Sequence, residues 1–173
     1  MDAFLEAGQP IFGPSAAVAI LEASKVFAKE FMVKNGIPTA GYRVFSSATE
    51  AKRYIGSTGV PCVIKADGLA AGKGVIIATT EAEAIKSIEE IMESKMFGAA
   101  GKRVIIEEFL DGEEVSVIAI TDGRTIIPML PAQDHKRIFD RDKGPNTGGM
   151  GSYAPAPICD KAMLARVKKE ILE

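Results

Sequence analysis

The stretch Lys65-Ala66-Asp67-Gly68-Leu69-Ala70-Ala71-Gly72-Lys73-Gly74 lies between two apolar runs rich in β-branched residues. Glycines at 68, 72 and 74 let a backbone approach a bulky anion and turn its N–H groups inward, while Lys65 and Lys73 add positive charge. That combination suits the polyphosphate of a nucleotide. It is not a Walker A loop, because no Gly-Lys-Ser/Thr ending is present and a strand follows where that motif has a helix. Nor does a helix open at its last glycine, as a Rossmann fingerprint requires. A flexible hairpin with solvated lysines is the competing reading.

Two further stretches carry polar chemistry. Glu107-Glu108-Phe109-Leu110-Asp111-Gly112-Glu113-Glu114 ends an apolar run with a knot of acids. Such a linker can offer backbone groups to an adenine edge and a carboxylate to ribose hydroxyls, or it can be a solvated acidic turn. Gln133-Asp134-His135-Lys136-Arg137 and Gly144-Pro145-Asn146-Thr147-Gly148-Gly149-Met150-Gly151 interleave donors and acceptors with small residues, a surface suited to anions or a small substrate. A lone His in a charged stretch, as His135 is, is more often a surface residue than a catalytic one.

The elements that must position these groups follow from periodicity. Residues 15–35 read as one helix, with Val18, Leu21, Val26, Phe31 and Met32 near helical spacing, Ser15 as N-cap and Gly36 as C-cap. Strands are expected over 42–45, 61–66, 74–78 and 103–109, with helices over 47–55 and from 80 or 81 to about 94. Residues 114–120 and 125–130 read as a hairpin turned by Asp122-Gly123. Residues 131–157, without periodicity, read as a long functional loop. The chain ends in a helix over 160–172 with Met163, Leu164 and Val167 on its buried side. The phosphate loop, hinge and acid come in the order a two-lobed ATP site requires, with the lobes meeting near residues 108–114.

The 173 residues are 47% hydrophobic and 25% charged, with formal net charge −2, which describes an ordinary globular protein of one domain or two small ones. No basic block marks a nucleic-acid surface, and no apolar run approaches the roughly 18 to 20 residues that span a bilayer. The first residues lack the basic start and apolar middle of a signal peptide, so a cytoplasmic setting is expected. Cys62 and Cys159 have no Cys or His near them in sequence, which argues for packing roles over a disulfide or a zinc site.

Taken together, the Gly-rich run, the acidic hinge, the Asp-His-Lys-Arg run and the Pro-Asn-Thr-Gly-Gly-Met-Gly run resemble the central part of the phosphoribosylamine–glycine ligases (glycinamide ribonucleotide synthetases) of the ATP-grasp superfamily, from about Phe12-Gly13-Pro14 onward. The resemblance implies an α+β ATP-grasp fold with a small nucleotide-binding lobe and an incomplete large lobe. Residues 1–36 would be a leading segment and helix, 37–111 the small lobe and 112–173 part of the large lobe. It implies that ATP phosphorylates the glycine carboxylate and that the amine of phosphoribosylamine displaces phosphate, a step of purine biosynthesis. ATP would be held by Lys25, Lys65, Gly68, Gly72, Lys73, Gly74, Glu107, Glu108, Leu110 and Glu114. Within that set, Lys25 and Lys65 face the phosphates, the glycine loop closes over them, Glu107 and Leu110 read adenine, and Glu114 takes the ribose. Lys65, on a strand, should matter more to the phosphates than Lys73, in a loop. Asp134, His135, Lys136, Arg137, Asn146, Thr147, Gly148 and Gly149 would face the substrates.

Set against the resemblance, the 173 residues lack the family's Arg-Phe-Gly-Asp-Pro-Glu signature, and the Rossmann-like N-terminal domain, the Glu…Asn pair that binds magnesium or manganese and the C-terminal domain are expected to lie outside them. The expected metal ligands therefore lie outside this chain, and the chain is expected not to catalyse ligation alone. Its expected partners are ATP, glycine, phosphoribosylamine and the missing domains, with no nucleic acid or membrane. Alternatives are the nucleotide-binding module of another ATP-grasp carboxylate–amine ligase, or an ATP-binding fragment without turnover.

Overall fold

The computed structural model describes residues 1–68, 74–94, 98–141 and 143–173, apart from the side chains at 99, 145 and 146. Gly72 and Lys73, named above for the phosphate loop, lie outside the described residues. Two compact units divide the chain, Met1–Leu110 and Asp111–Glu173.

The first unit contains α1 (Asp2–Glu6), α2 (Ala16–Ala23), α3 (Lys25–Lys34), β1 (Tyr42–Phe45), α4 (Ala48–Thr58), β2 (Cys62–Ala66), β3 (Val75–Ala78), α5 (Glu81–Met92), a 3₁₀ turn (Gly98–Lys102) and β4 (Val104–Glu108). The strands form one sheet in the order β1-β4-β2-β3, every neighbouring pair antiparallel. Side chains alternate across a strand. Cys62, Ile64 and Ala66 of β2 and Val104 and Ile106 of β4 therefore share one face, where they close a core with Ala51 and Ile55 of α4 and Ala84, Ile88 and Ile91 of α5. Both helices are capped from the sequence. Ser47 accepts from the Glu50 N–H, and Thr80 and Glu83 form a reciprocal capping box.

The single helix expected over 15–35 is two, broken at Ser24. Its hydroxyl caps α3 by accepting from the Phe27 N–H and donates to Asp67 Oδ1 at 2.9 Å. The Val26 N–H, which a continuous helix would turn back on its own carbonyls, donates to the same oxygen at 2.9 Å. A tertiary carboxylate has replaced the helical bonds. The apolar stripe read from spacing is correspondingly thin: Val26 is buried, whereas Val18 and Phe31 are exposed.

The second unit contains the hairpin β5 (Ala119–Thr121) and β6 (Ile126–Pro128), the hairpin β7 (Gln133–Phe139) and β8 (Lys143–Tyr153), and α6 (Lys161–Val167), which continues as a wider π-type turn over Lys168–Leu172. Residues 131–157, expected as a loop, are therefore mostly a paired ladder. Backbone hydrogen bonds hold a ladder together whether or not apolar residues alternate along it, so its periodicity gave no sign of it. The register slips between His135 and Arg137 and again before Phe139, which places extra residues on the glycine-rich strand. The terminal helix lacks the buried side expected of it: Met163 is exposed, and Leu164 and Val167 are half-buried.

Candidate functional site

The face of the sheet opposite the α4–α5 core carries the chemistry. Lys65 pairs across with Ile105 and Val63 with Glu107, so Lys65 and Glu107 are diagonal neighbours on that face. Lys65 Nζ stands 3.0 Å from Glu107 Oε2. A third charge joins them from α3, where Lys29 Nζ lies 2.9 Å from the same oxygen. Lys29 also donates to Thr39 Oγ1 at 2.8 Å and to the Ala40 carbonyl at 3.2 Å, and its ammonium sits 5.5 Å from the centre of the Tyr42 ring. The three ammonium protons are thereby matched to three oxygens.

Burial separates the two lysines. The side chains of Lys29 and Glu107 are 9% and 4% exposed, and that of Lys65 is 25% exposed. Glu107 Oε1, fully buried, has no hydrogen-bond partner among the described residues. An unpaired buried carboxylate oxygen costs on the order of 1 to 3 kcal/mol, which a ligand donor would recover. Val63, Val75 and Ile77 share this face through the pairings Lys65–Val75 and Val63–Ile77, and Val75 and Ile77 are exposed apolar side chains beside the charges.

A second network fixes the entrance to the glycine loop. Asp67 Oδ1 accepts from Ser24 and Val26, and Oδ2 accepts from Arg103 Nε at 3.0 Å and from the Arg103 Nη2. Burial, the largest influence, pushes the Asp67 carboxyl upward, but the Val26 N–H, the Ser24 hydroxyl and the Arg103 guanidinium together hold it below the usual carboxylate range. Lys25, at the start of α3, donates to the Gly68 carbonyl at 2.8 Å, so α3 is tied to the loop at two successive residues, Asp67 and Gly68. Gly68 allows this closeness, because a Cβ there would stand 2.5 Å from Ala100 Cβ and 2.9 Å from Ala100 Cα. On the loop's far side, Gly74 accepts from the Ala66 N–H at 2.8 Å.

Glu108 points away from Glu107, as strand alternation requires, and its Oε1 accepts from the Gly41 N–H at 2.8 Å. Leu110, 65% exposed, ends the first unit. Glu114 and the residues of the second hairpin belong to the other unit. There Lys136 Nζ bridges Glu114 Oε2 at 3.3 Å and Asp134 Oδ1 at 3.5 Å. Partial burial lowers the Lys136 pKa, but the Glu114 and Asp134 carboxylates outweigh it and leave the ammonium above its ordinary value. His135 stacks on Tyr153 with ring centres 5.8 Å apart, and the Tyr153 hydroxyl donates to Gln133. Arg137 donates to the Gly144 carbonyl at 3.0 Å and pairs with Asn146 across the ladder. Thr147 donates to the Lys136 carbonyl at 2.8 Å and accepts from the Gly149 N–H, a turn that takes in Gly148.

The structure therefore brings Lys65 and Glu107 together, and Lys25 with Gly68, within the first unit. It gathers Asp134, Lys136 and Glu114 within the second. Sequence reasoning missed Lys29, Arg103 and Ser24. Lys29 and Ser24 look like ordinary residues of a surface helix, and a basic residue just before a strand, as Arg103 is, carries no mark of its partner.

Residues 23–173 match the family model described as phosphoribosylglycinamide synthetase, ATP-grasp (A) domain. The chain is 53% identical over 172 residues to the phosphoribosylamine–glycine ligase of Vibrio vulnificus, covering 99% of this chain and 40% of that protein. It is 55% identical over 168 residues to the human trifunctional purine biosynthetic protein adenosine-3, covering 96% of this chain and 17% of that one. The crystal structure of a phosphoribosylamine–glycine ligase from Thermotoga maritima matches with TM-score 0.83 and 41% identity, over 91% of this chain and 40% of that one. A biotin carboxylase from Campylobacter jejuni, at 18% identity and TM-score 0.78 over 98% of this chain and 37% of that one, shares the fold. The chain thus spans about 40% of the length of the bacterial ligases it matches.

Proposed function

Because the chain belongs to the phosphoribosylglycinamide synthetase ATP-grasp (A) domain family, we propose that it supplies the ATP site of a ligase that joins glycine to phosphoribosylamine in purine biosynthesis. The observation that carries this reading is the meeting of Lys65 and Glu107 on the sheet face opposite the α4–α5 core, with Glu107 Oε1 buried and without a partner among the described residues. The exocyclic amine of adenine is a donor suited to that oxygen, and Val63, Val75 and Ile77 offer apolar surface to the ring. Lys65 reaches the α- and β-phosphates as a charge-assisted donor. Lys25 anchors the first carbonyl of the glycine loop and adds charge beside it, and the loop through Gly74, including Gly72 and Lys73, covers the phosphates. At the hinge, the Leu110 N–H takes the adenine edge and Glu108 stiffens β4 against Gly41.

In this reading residues 37–111 are the small lobe, led by 1–36, and 112–173 belong to the large lobe. Glu114 takes the ribose, and Asp134, His135, Lys136, Arg137, Asn146, Thr147, Gly148 and Gly149 face glycine and phosphoribosylamine. A glycine carboxylate oxygen attacks the γ-phosphorus, ADP leaves, and the amine then attacks the acyl phosphate and expels phosphate. Lysines and backbone N–H groups neutralise charge, and close positioning supplies much of the rest, so no protein nucleophile is required. The family's divalent cation, magnesium or manganese, would supply charge neutralisation for the transferred phosphoryl group when bound. Among the described residues no group of three His, Cys, Asp or Glu side chains is gathered to hold it.

No helix among the described residues is long and apolar enough to cross a membrane. Cys62 and Cys159 are buried free thiols, which supports a cytoplasmic setting. ADP formation by a ligase of the bacterial relatives' full length that carries this chain, measured with glycine and phosphoribosylamine each present or withheld, tests the assignment. Dependence on both substrates is the expected result. A chain that binds no ATP in an equilibrium titration would overturn it. The 173 residues on their own should hold ATP without completing the ligation.

A further inference from the structure

We propose that Lys29 is a positioning residue that acts by charge: it neutralises Glu107 from the buried side and so leaves Lys65 as a net cation for the nucleotide phosphates. The proposal rests on the nucleotide reading above and adds to it a residue that never touches the ligand. Glu107 Oε2 is shared by two ammonium groups, at 2.9 Å from Lys29 and 3.0 Å from Lys65. Two lysines against one carboxylate leave one positive charge in excess.

Geometry decides which lysine keeps that excess. Lys29 is buried, and its protons are taken by Thr39, Ala40 and Glu107, so it has no direction left in which to reach a ligand. Lys65 is partly exposed, and among the described residues it meets the oxygen that Lys29 also holds. Without Lys29, Lys65 and Glu107 would be a neutral pair presented to a polyanion, and Glu107 would repel the phosphates nearly as much as Lys65 attracts them. A buried lysine on a helix thus sets the sign of a site on the sheet it covers.

Charge exchange tests this in the full chain. Lys29→Met should weaken ATP binding by roughly 10- to 100-fold, the range expected when a charge-assisted contact is lost. The double variant Lys29→Met/Glu107→Gln removes one charge of each sign and restores the excess on Lys65, so it should bind ATP at least about tenfold more tightly than Lys29→Met, while Glu107→Gln alone shows what loss of the carboxylate costs the adenine. A lysine that merely filled space would give no such recovery. A double variant as weak as Lys29→Met overturns the proposal. Should Lys29→Met fail to give folded protein by circular dichroism, Lys29→Gln, which keeps a donor toward Thr39 and Ala40, takes its place, and a Lys29→Gln/Glu107→Gln variant no tighter than Lys29→Gln counts against the role. An unaltered chain that binds no ATP defeats the nucleotide reading itself, and the role of Lys29 with it.

Discussion

Asp67 shows how one side chain can organise a site without belonging to its chemistry. Its two oxygens gather the start of α3 and Arg103, and Lys25 meets the neighbouring Gly68, so the entrance of the glycine loop is fixed to a helix from a distant part of the chain. Asp67→Asn should cost about 1 to 3 kcal/mol at pH 7, since Arg103 is partly solvated and the hydroxyl and N–H donors lose a charged acceptor. The folded carboxyl lies below its unfolded value of about 3.9. Its contribution is therefore complete above roughly pH 4 and is lost as pH falls through the folded value. Urea unfolding of the unaltered chain and of Asp67→Asn should show a gap that narrows below about pH 4, and a gap constant from pH 7 to pH 3 would contradict the assignment. Lys65→Ala should weaken ATP binding by about 1 to 3 kcal/mol in an equilibrium titration, through loss of a charge-assisted donor. Lys65 was singled out as a charge beside the glycine run and Glu107 as one of the acids that end an apolar run, though not their pairing, because spacing alone does not say that β2 and β4 are neighbours. Lys29 was not, because a lysine in an amphipathic helix looks solvated until the fold brings β4 to it.

Elements were legible where side-chain burial imposes a period and illegible where backbone or tertiary polar bonds set the geometry. The strands β1 to β4 and the helices α4 and α5 surround one core, so apolar spacing announced each of them. The break at Ser24 depends on a carboxylate from the end of β2, and the β7–β8 ladder depends on glycines that carry no pattern. Gly144 illustrates the latter: it has a positive φ of 85°, and a Cβ there would stand 2.5 Å from the Phe139 ring. Gly68 matters for the same steric reason in the first unit. Gly68→Ala would drive a Cβ into the Ala100 backbone, which no side-chain rotation can relieve, and should destabilise the first unit by about 1 to 3 kcal/mol. Thermal unfolding checks it: a midpoint unchanged from that of the unaltered chain would mean that the 3₁₀ turn around Ala100 yields freely.

At the scale of the whole molecule the two units differ in how they bury apolar surface. The first closes Ile55, Ile64, Ile88, Ile91 and Val104 almost completely from solvent, between a four-stranded sheet and two helices. The second rests on two separate two-stranded hairpins, an arrangement that is marginal in water without further strands or a covering helix. Its β5–β6 hairpin exposes Ile120 and Ile127, directly opposite each other in the ladder, and the residues flanking the two strands add exposed Ile118, Met129 and Leu130. Contiguous apolar side chains on a short open sheet favour pairing with another copy, both through the face and through the unpaired strand edges. The 173-residue chain should therefore self-associate as its concentration rises, with the contact in the second unit and the sheet face of the first that carries Lys65 left unchanged. Ile120→Lys/Ile127→Glu places an attractive opposite-charge pair across the ladder while removing the apolar contact, so the hairpin itself should survive. Sedimentation should show the mass of the unaltered chain rising with concentration and that of the variant staying at one copy. A chain that stays monomeric across the range, or a variant that associates equally, would place the sticky surface elsewhere.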